Sequence, residues 1–270
     1  MSGLNAASRN TGPDFRYDGQ TPPVEVRNLT VAYGDDPPIL ENLSFSIEKG
    51  EIFGILGGSG SGKSSVLRNL IGLVPPRSGE ILIFGQNIWA EEGRYLNDCR
   101  HQFGMMYQAG ALFGSMNLLE NVSMPMREFT KMSPEAIETA ARIKLSLVGL
   151  AGFEYHLPVH ISGGMQKRAA IARAMALEPK LIFLDEPSAG LDPITSAGLD
   201  KLIRTLAGSL GISFGVVTHE LGSIMNIIDR AILLDKSVKG IVAEGSPDEL
   251  AKDSDDEYVS AFFNRKSLDA

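Results

Sequence analysis

The chain has 270 residues and a single cysteine, Cys99, so no internal disulfide is possible and a reducing compartment is its natural setting. No cluster of activating residues surrounds Cys99, which argues against a reactive thiol. Long apolar runs are also missing. None approaches the roughly 20 residues needed to span a bilayer, so work at a membrane would be done from its cytoplasmic side, as a peripheral subunit. The first 23 residues lack the apolar stretch of a secretory signal and are rich in Gly, Ser, Asn and Pro, which predicts a disordered N-terminal tail. Basic residues are outnumbered, 25 Lys and Arg against 33 Asp and Glu, for a net charge of −8. A nucleic-acid binder usually carries a basic footprint, so no nucleic-acid partner is expected. Internal repeats are absent. What remains is an ordinary globular composition, long enough for one large domain or a domain with a sizeable insertion.

The most informative stretch is residues 57–65, GGSGSGKSS. It fits G-x-x-x-x-G-K-[ST], with Gly57, Gly62, Lys63 and Ser64 at the fixed positions. An apolar run, residues 52–56, precedes it, and a helical pattern, residues 66–71, follows. In that setting Gly57, Gly58, Gly60 and Gly62, with Ser59 and Ser61 between them, let the backbone curl its N–H groups around one anion. The following helix adds its positive end. Lys63 can bridge terminal phosphates, and the Ser64 hydroxyl, with Ser65 beside it, can meet Mg²⁺.

Around this loop the chain reads as two textures. Apolar residues at Val24, Val26, Leu29 and Val31 predict a half-exposed strand, and residues 39–47 a second. A tight turn at residues 48–51 leads into the phosphate-loop strand, and residues 81–84 form another strand. From about 100 to 179 helical periods dominate and predict a helical insertion. There Ser133-Pro134 opens a helix with Ile137, Ala141, Leu145 and Val148 on one face and Gly149 at its end. Short buried strands follow at 181–184 and 213–217, then a closing hairpin at 231–234 and 240–243. Residues 246–249 form a capping box that starts a C-terminal helical extension, 246–270. Phe262 and Phe263 in that extension need a surface, either on the chain's own domain or, the preferred reading, on a second copy of the chain.

Four further stretches bear on the chemistry. Residues 181–186, LIFLDE, end a buried strand in two carboxylates at the mouth of a sheet, where ligands lie in open α/β folds. Asp185 would hold Mg²⁺ through water, and Glu186 would orient or deprotonate an attacking water. Ser162, Gly163 and Gly164 open a helix with bare N–H groups and a hydroxyl, again suited to an anion. His219 follows the strand at 213–217 and would stand beside the Asp-Glu pair. Gln108 sits where the first lobe meets the helical region and means little by itself.

Together these residues resemble the nucleotide-binding subunits of ATP-binding cassette (ABC) transporters, over about residues 24–245. The resemblance implies an α/β fold: a P-loop NTPase (RecA-like) core with an antiparallel β subdomain and an α-helical insertion. It implies ATP as substrate and Mg²⁺ as cofactor. By the same resemblance Tyr33 stacks on adenine, Gln108 touches Mg²⁺ and the attacking water, and His219 contacts the γ-phosphate. Ser162 and Gly164 would reach the ATP of a second copy, in a head-to-tail homodimer whose seam is lined by residues 188–192. The usual L-S-G-G-Q departs here to Ile161 and Met165. Met165 cannot make a glutamine's polar contacts, while Ser162, Gly163 and Gly164 stand.

That methionine, with residues 108–113 (QAGALF) and 162–170 (SGGMQKRAA), is similar to the ATPases of the Mla-type lipid transporters. The similarity implies an integral-membrane permease pair, a periplasmic MCE-domain protein, a small STAS-domain protein, and phospholipid movement between two membranes. It also implies that residues 109–126, rich in Met, Leu and Phe, meet the permease. The competing readings are an ATPase of another ABC transporter, such as an amino-acid importer, and a soluble ABC-type assembly ATPase. A non-catalytic nucleotide-binding regulator fits poorly with intact Lys63, Asp185, Glu186 and His219.

Overall fold

β3 (Ile52–Gly57) is buried at every position and is a middle strand of a six-stranded sheet. A strand covered on both faces has no polar side to show, which explains the unbroken apolar run. The computed structural model describes residues 21–90, 99–252 and 256–264. Most of the predicted tail, residues 1–20, lies outside them, as do residues 253–255 and the last six residues of the extension.

Before β3 come β1 (Val24–Val31) and β2 (Leu40–Ile47). β1 is flanked by β2 and β4 (Ser78–Ile83), both antiparallel to it, and β5 (Gln86–Asn87) pairs with β4. The buried residues of β1 are Val24, Val26, Leu29 and Val31, one step out of strict alternation. The register shifts between Val26 and Leu29, and Asn28 takes a left-handed φ of 47°. That irregularity absorbs the extra residue and returns Leu29 and Val31 to the core.

β6 (Phe103–Met106), β7 (Leu181–Asp185), β8 (Ser213–Val217), β9 (Arg230–Asp235) and β10 (Gly240–Gly245) complete the central sheet. Its order is β10-β9-β3-β8-β7-β6, with only β10 antiparallel to its neighbour. The range expected as helical insertion, about 100–179, therefore opens with a strand of this sheet. β6 is four residues long and contains Gly104, whose Cβ would lie 2.3 Å from the Ala174 carbonyl oxygen, so close helix packing shapes it more than any period in its sequence.

Helix α1 (Lys63–Leu70) follows the phosphate loop. α2 (Leu118–Phe129) and α3 (Pro134–Leu147) pack on each other, opened by an Asn117–Glu120 capping box and by Ser133 before Pro134. Ile137, Ala141, Leu145 and Val148 are buried along one face, and Gly149 turns left-handed after it. α4 (Gly163–Ala174) lies against β6, and α5 (Pro193–Leu210) against α6 (Leu221–Ile227). Two short helices end the described chain, α7 (Pro247–Lys252) and α8 (Glu257–Asn264). Phe262 and Phe263, half-buried, pack against the chain's own core. Among the described residues no helix is long and apolar enough to cross a membrane.

The core has two parts. One fills the space between the antiparallel sheet, α1 and one face of the central sheet, with Phe53, Ile55, Phe183 and Val217 in it. The other lies between the opposite face and the helices, with Leu56, Ile182, Leu184 and Phe214 in it. Because β3, β7 and β8 run parallel, their C-terminal ends meet at one edge, and that edge carries the polar residues of interest.

Candidate functional site

β3 delivers the chain into the turn at Gly57, which has φ of 150°. A Cβ there would sit 2.4 Å from Ser61 Oγ and 2.6 Å from the Leu234 carbonyl oxygen, so only glycine fits. Gly62 caps α1 in a left-handed conformation. Lys63 is 8% exposed, and its Nζ donates to the carbonyl oxygens of Gly57 (2.8 Å) and Gly58 (2.9 Å). Burial pulls the ammonium's pKa down, and Glu186 and then Asp185 pull it back up.

β7 brings the two carboxylates. Asp185 pairs in register with Val217 of β8, and the Glu186 N–H donates to the Val217 carbonyl at 2.8 Å. Glu186 takes a left-handed φ of 46°, a strained conformation for a side chain-bearing residue. Its Oε1 lies 2.7 Å from His219 Nδ1, just past the end of β8. Its Oε2 is buried with no hydrogen-bond partner, as is Asp185 Oδ1. Burial raises the Asp185 carboxyl above its ordinary value, Glu186 adds to that, and Arg68, Lys167 and Lys63 oppose it.

A cavity of about 530 Å³ gathers Gly58, Ser59, Gly60, Lys63 and Ser64 with Gln108, Glu186 and His219. Leu221 and Phe262 form further parts of its wall. Residues separated by up to 204 positions thus face one volume. An anion-binding loop and a carboxylate with one oxygen on imidazole and the other unpartnered suit the attack of water on a phosphoryl group. A divalent cation fits the same edge. Ser64 lines the cavity, and Asp185 keeps a buried oxygen without a partner. Among the described residues no group of three or more His, Cys, Asp or Glu could hold a metal alone. That sparse donor set matches Mg²⁺, which keeps waters and substrate phosphates as ligands.

Tyr33 stands next to the loop. Its hydroxyl lies 3.0 Å from Ser65 Oγ and accepts from Arg68 Nη1 at 3.0 Å. Gln108 is exposed, at the head of a loop that is otherwise tightly held. Arg173 donates to the carbonyls of Gly110 (2.9 Å) and Ala111 (2.7 Å). Asn121 accepts from the Phe113 N–H and donates to the carbonyls of Phe113, Met116 and Asn117.

Lys167 is a residue that the motif reading passed over. It is 7% exposed, and its Nζ donates to the Gln108 carbonyl and, at 3.3 Å, to that of Glu186. One ammonium thus ties the helix of SGGM to the Gln108 loop and to the end of β7. The available signal was a lysine between Gly164 and Ala170, on the buried stripe of its helix.

Ser162, Gly163 and Gly164 are not brought to this cavity. Ser162 is exposed, and its Oγ accepts the Met165 N–H at 3.3 Å as the N-cap of α4. Gly163 is also exposed, whereas Gly164 is buried, and a Cβ there would lie 2.4 Å from Thr195 Cγ2. In the adjoining turn Ser188 Oγ meets Ser223 Oγ at 2.8 Å and Asp192 caps α5. A second cavity, about 570 Å³, lies between β6, α2 and α4, with Met105, Met124 and Phe129 in its wall. Among the described residues it has no carboxylate in its wall, and it shares no lining residue with the phosphate-loop cavity.

Comparison with known proteins agrees with this geometry. A protein-family model described as "ABC transporter" matches residues 40–189. The chain is 42% identical over 233 residues to the intermembrane phospholipid transport system ATP-binding protein MlaF of Escherichia coli K12, covering 86% of this chain and 85% of that one. It is 40% identical over 254 residues to the probable ribonucleotide transport ATP-binding protein mkl of Mycobacterium leprae, covering 93% and 72%. Among solved structures it resembles the dimeric post-hydrolysis ATP-binding cassette MJ0796 bound to ADP and Pi, with TM-score 0.74, 31% identity, and 83% and 98% coverage. On a family match over more than half its length, and on those relatives, the chain belongs to the ABC transporter family and is one of its ATP-hydrolysing subunits.

Proposed function

We propose that this chain powers phospholipid transport between the inner and outer membranes, as an ATPase homodimer at the cytoplasmic face of the inner membrane. The observation that carries the reading is the likeness to MlaF at 42% identity along 85% of that protein's length. The permease partner would engage residues 109–126 and the apolar cavity beside Phe129. An MCE-domain protein and a STAS-domain protein complete the proposed assembly, by the same likeness. The domain plan is an N-terminal tail at 1–23, an ABC ATPase domain at 24–245 with its helical insertion, and a C-terminal extension at 246–270.

In the proposed mechanism the N–H groups of residues 59–65 cradle the phosphates of ATP and Tyr33 supports the adenine. The Lys63 ammonium leaves the carbonyls of Gly57 and Gly58 for the terminal phosphates. Ser64, Asp185 and Gln108 would hold Mg²⁺, which neutralises phosphate charge when bound. Glu186 accepts the proton of the attacking water through its unpartnered Oε2, while His219 fixes Oε1 and reaches the γ-phosphate. The products are ADP and phosphate.

The exposure of Ser162 and Gly163 supports the two-copy arrangement, in which SGGM of one chain closes over the ATP of the other. ATP is then differential glue: it stabilises the closed pair while the γ-phosphate bridges both copies and releases it after hydrolysis. The test is to recover the tagged chain with its retained membrane protein from detergent extract and rebuild both in vesicles. ATP-dependent transfer of a fluorescent phospholipid, lost in Glu186→Gln, is the expected outcome. Transfer of nucleotides or amino acids with no lipid movement would refute the cargo.

A further inference from the structure

We infer that Tyr258 is a positioning residue of the phosphate loop and that this is a task of the C-terminal helix α8. The inference rests on reading residues 57–65 as the loop that binds ATP. The Gly58 N–H donates to the Tyr258 hydroxyl oxygen at 3.2 Å, and that hydroxyl donates in turn to the Leu234 carbonyl at 3.4 Å. Leu234 is the β9 residue in register with Gly57. The tyrosine therefore bolts the loop's second residue to the neighbouring strand across 200 positions of sequence.

The bolt acts on one peptide unit. The Gly57 carbonyl and the Gly58 N–H belong to the same trans peptide and point in opposite directions. Lys63 Nζ holds the carbonyl side and Tyr258 holds the N–H side. A peptide between two glycines rotates more freely than any other, because neither neighbour carries a Cβ. When Lys63 turns to a phosphate, Tyr258 alone keeps that peptide in the orientation the loop requires. α8 is itself well placed for this. Val259 and Ala261 are buried, Asp256 caps its start, and Phe262 lines the same cavity as the loop.

Removing only the hydroxyl leaves a partly buried N–H without a partner and the peptide free to turn, while the ring continues to pack. The experiment compares wild type, Tyr258→Phe and Lys63→Ala as full chains, measuring MgATP affinity, steady-state ATPase kinetics and unfolding temperature. Tyr258→Phe is expected to raise the Kd and KM for MgATP about three- to tenfold, leaving kcat within about twofold and the unfolding temperature nearly unchanged. A purely structural tyrosine would lower the unfolding temperature without moving KM against kcat. Unchanged affinity in Tyr258→Phe, beside a clear loss in Lys63→Ala, overturns this inference alone. Wild-type affinity in Lys63→Ala overturns the reading of the loop and this inference with it.

Discussion

Two glycine-rich turns of this chain do different physical work. At residues 57–65 the glycines serve the turn's own interior. Gly57 and Gly62 have positive φ, Lys63 is nearly buried, and neighbouring β strands and helices press in from Leu40, Leu234 and Tyr258. At residues 162–165 the turn is an N-cap whose first two residues look outward, and only Gly164 is held, by Thr195. The first turn faces a carboxylate pair with unpartnered buried oxygens, and the second faces solvent. A pocket that stores strain and unpaired polar atoms has its ligand's contacts already assigned. A turn with neither is open to a surface supplied from elsewhere. The comparison teaches that reactivity is concentrated in one half and reach in the other.

The largest effect is expected where the contrast is strongest. Glu186→Gln keeps the shape of the carboxylate but cannot accept a proton, so phosphate release should fall by about 10²- to 10⁴-fold while MgATP still binds. Light scattering should then find a nucleotide-dependent dimer. Normal turnover would remove Glu186 from the chemistry, and a monomer under those conditions would break the assigned reach of the second turn. Lys63→Ala comes next. Loss of a charged donor should weaken MgATP binding about 10- to 100-fold by titration calorimetry. It should not lower the unfolding temperature, since it also removes a buried ammonium.

The two glycines of the second turn separate packing from reach. Gly164→Ala should destabilise the fold by about 1–3 kcal/mol through its clash with Thr195, and Thr195→Ser should restore most of that loss by removing Cγ2. Gly163→Ala has its nearest neighbour at 3.8 Å and should leave thermal unfolding unchanged. An ATPase rate that falls in Gly163→Ala, with single-chain ATP affinity intact, would place the defect between two copies. An unchanged rate would deny this turn a role in catalysis.

The smallest effect concerns a carboxyl outside both turns. Asp200 is 3% exposed, its Oδ1 has no partner, and burial raises its pKa against hydrogen bonds from Ser223 and Asn226. A raised carboxyl contributes stability that is complete below its unfolded pKa and is lost as pH rises through its folded value. Asp200→Asn should therefore unfold at a higher temperature than wild type near neutral pH, by no more than about 3 °C, and the gap should close in acid. A gap that widens in acid would reverse the sign.

Much of the site was legible because its constraints are local. A phosphate loop needs glycine at set spacings, and a buried strand that ends in Asp-Glu has few other uses. His219 was expected beside that pair and lies 2.7 Å from Glu186, because adjacent parallel strands end at the same edge. Lys167 was missed, since its partners are backbone carbonyls 59 and 19 residues away and leave no mark on local periodicity. Neither the bulge at Asn28 nor the membership of β6 in the central sheet was foreseen. Phe262 and Phe263 were seen to need cover, but nothing local said which surface would provide it.

By itself the amino-acid sequence determined the chemistry of each segment: an anion cradle, an acidic strand end and an N-cap of glycines. It did so because backbone geometry, capping and side-chain charge act over a few residues. Only the tertiary structure decided that Glu186, His219, Gln108 and the loop share one cavity, that SGGM does not enter it, and that Tyr258 reaches Gly58. Those outcomes depend on how parallel strands register and how helices pack across hundreds of residues, and the free energy of such contacts is written in no single stretch of chain.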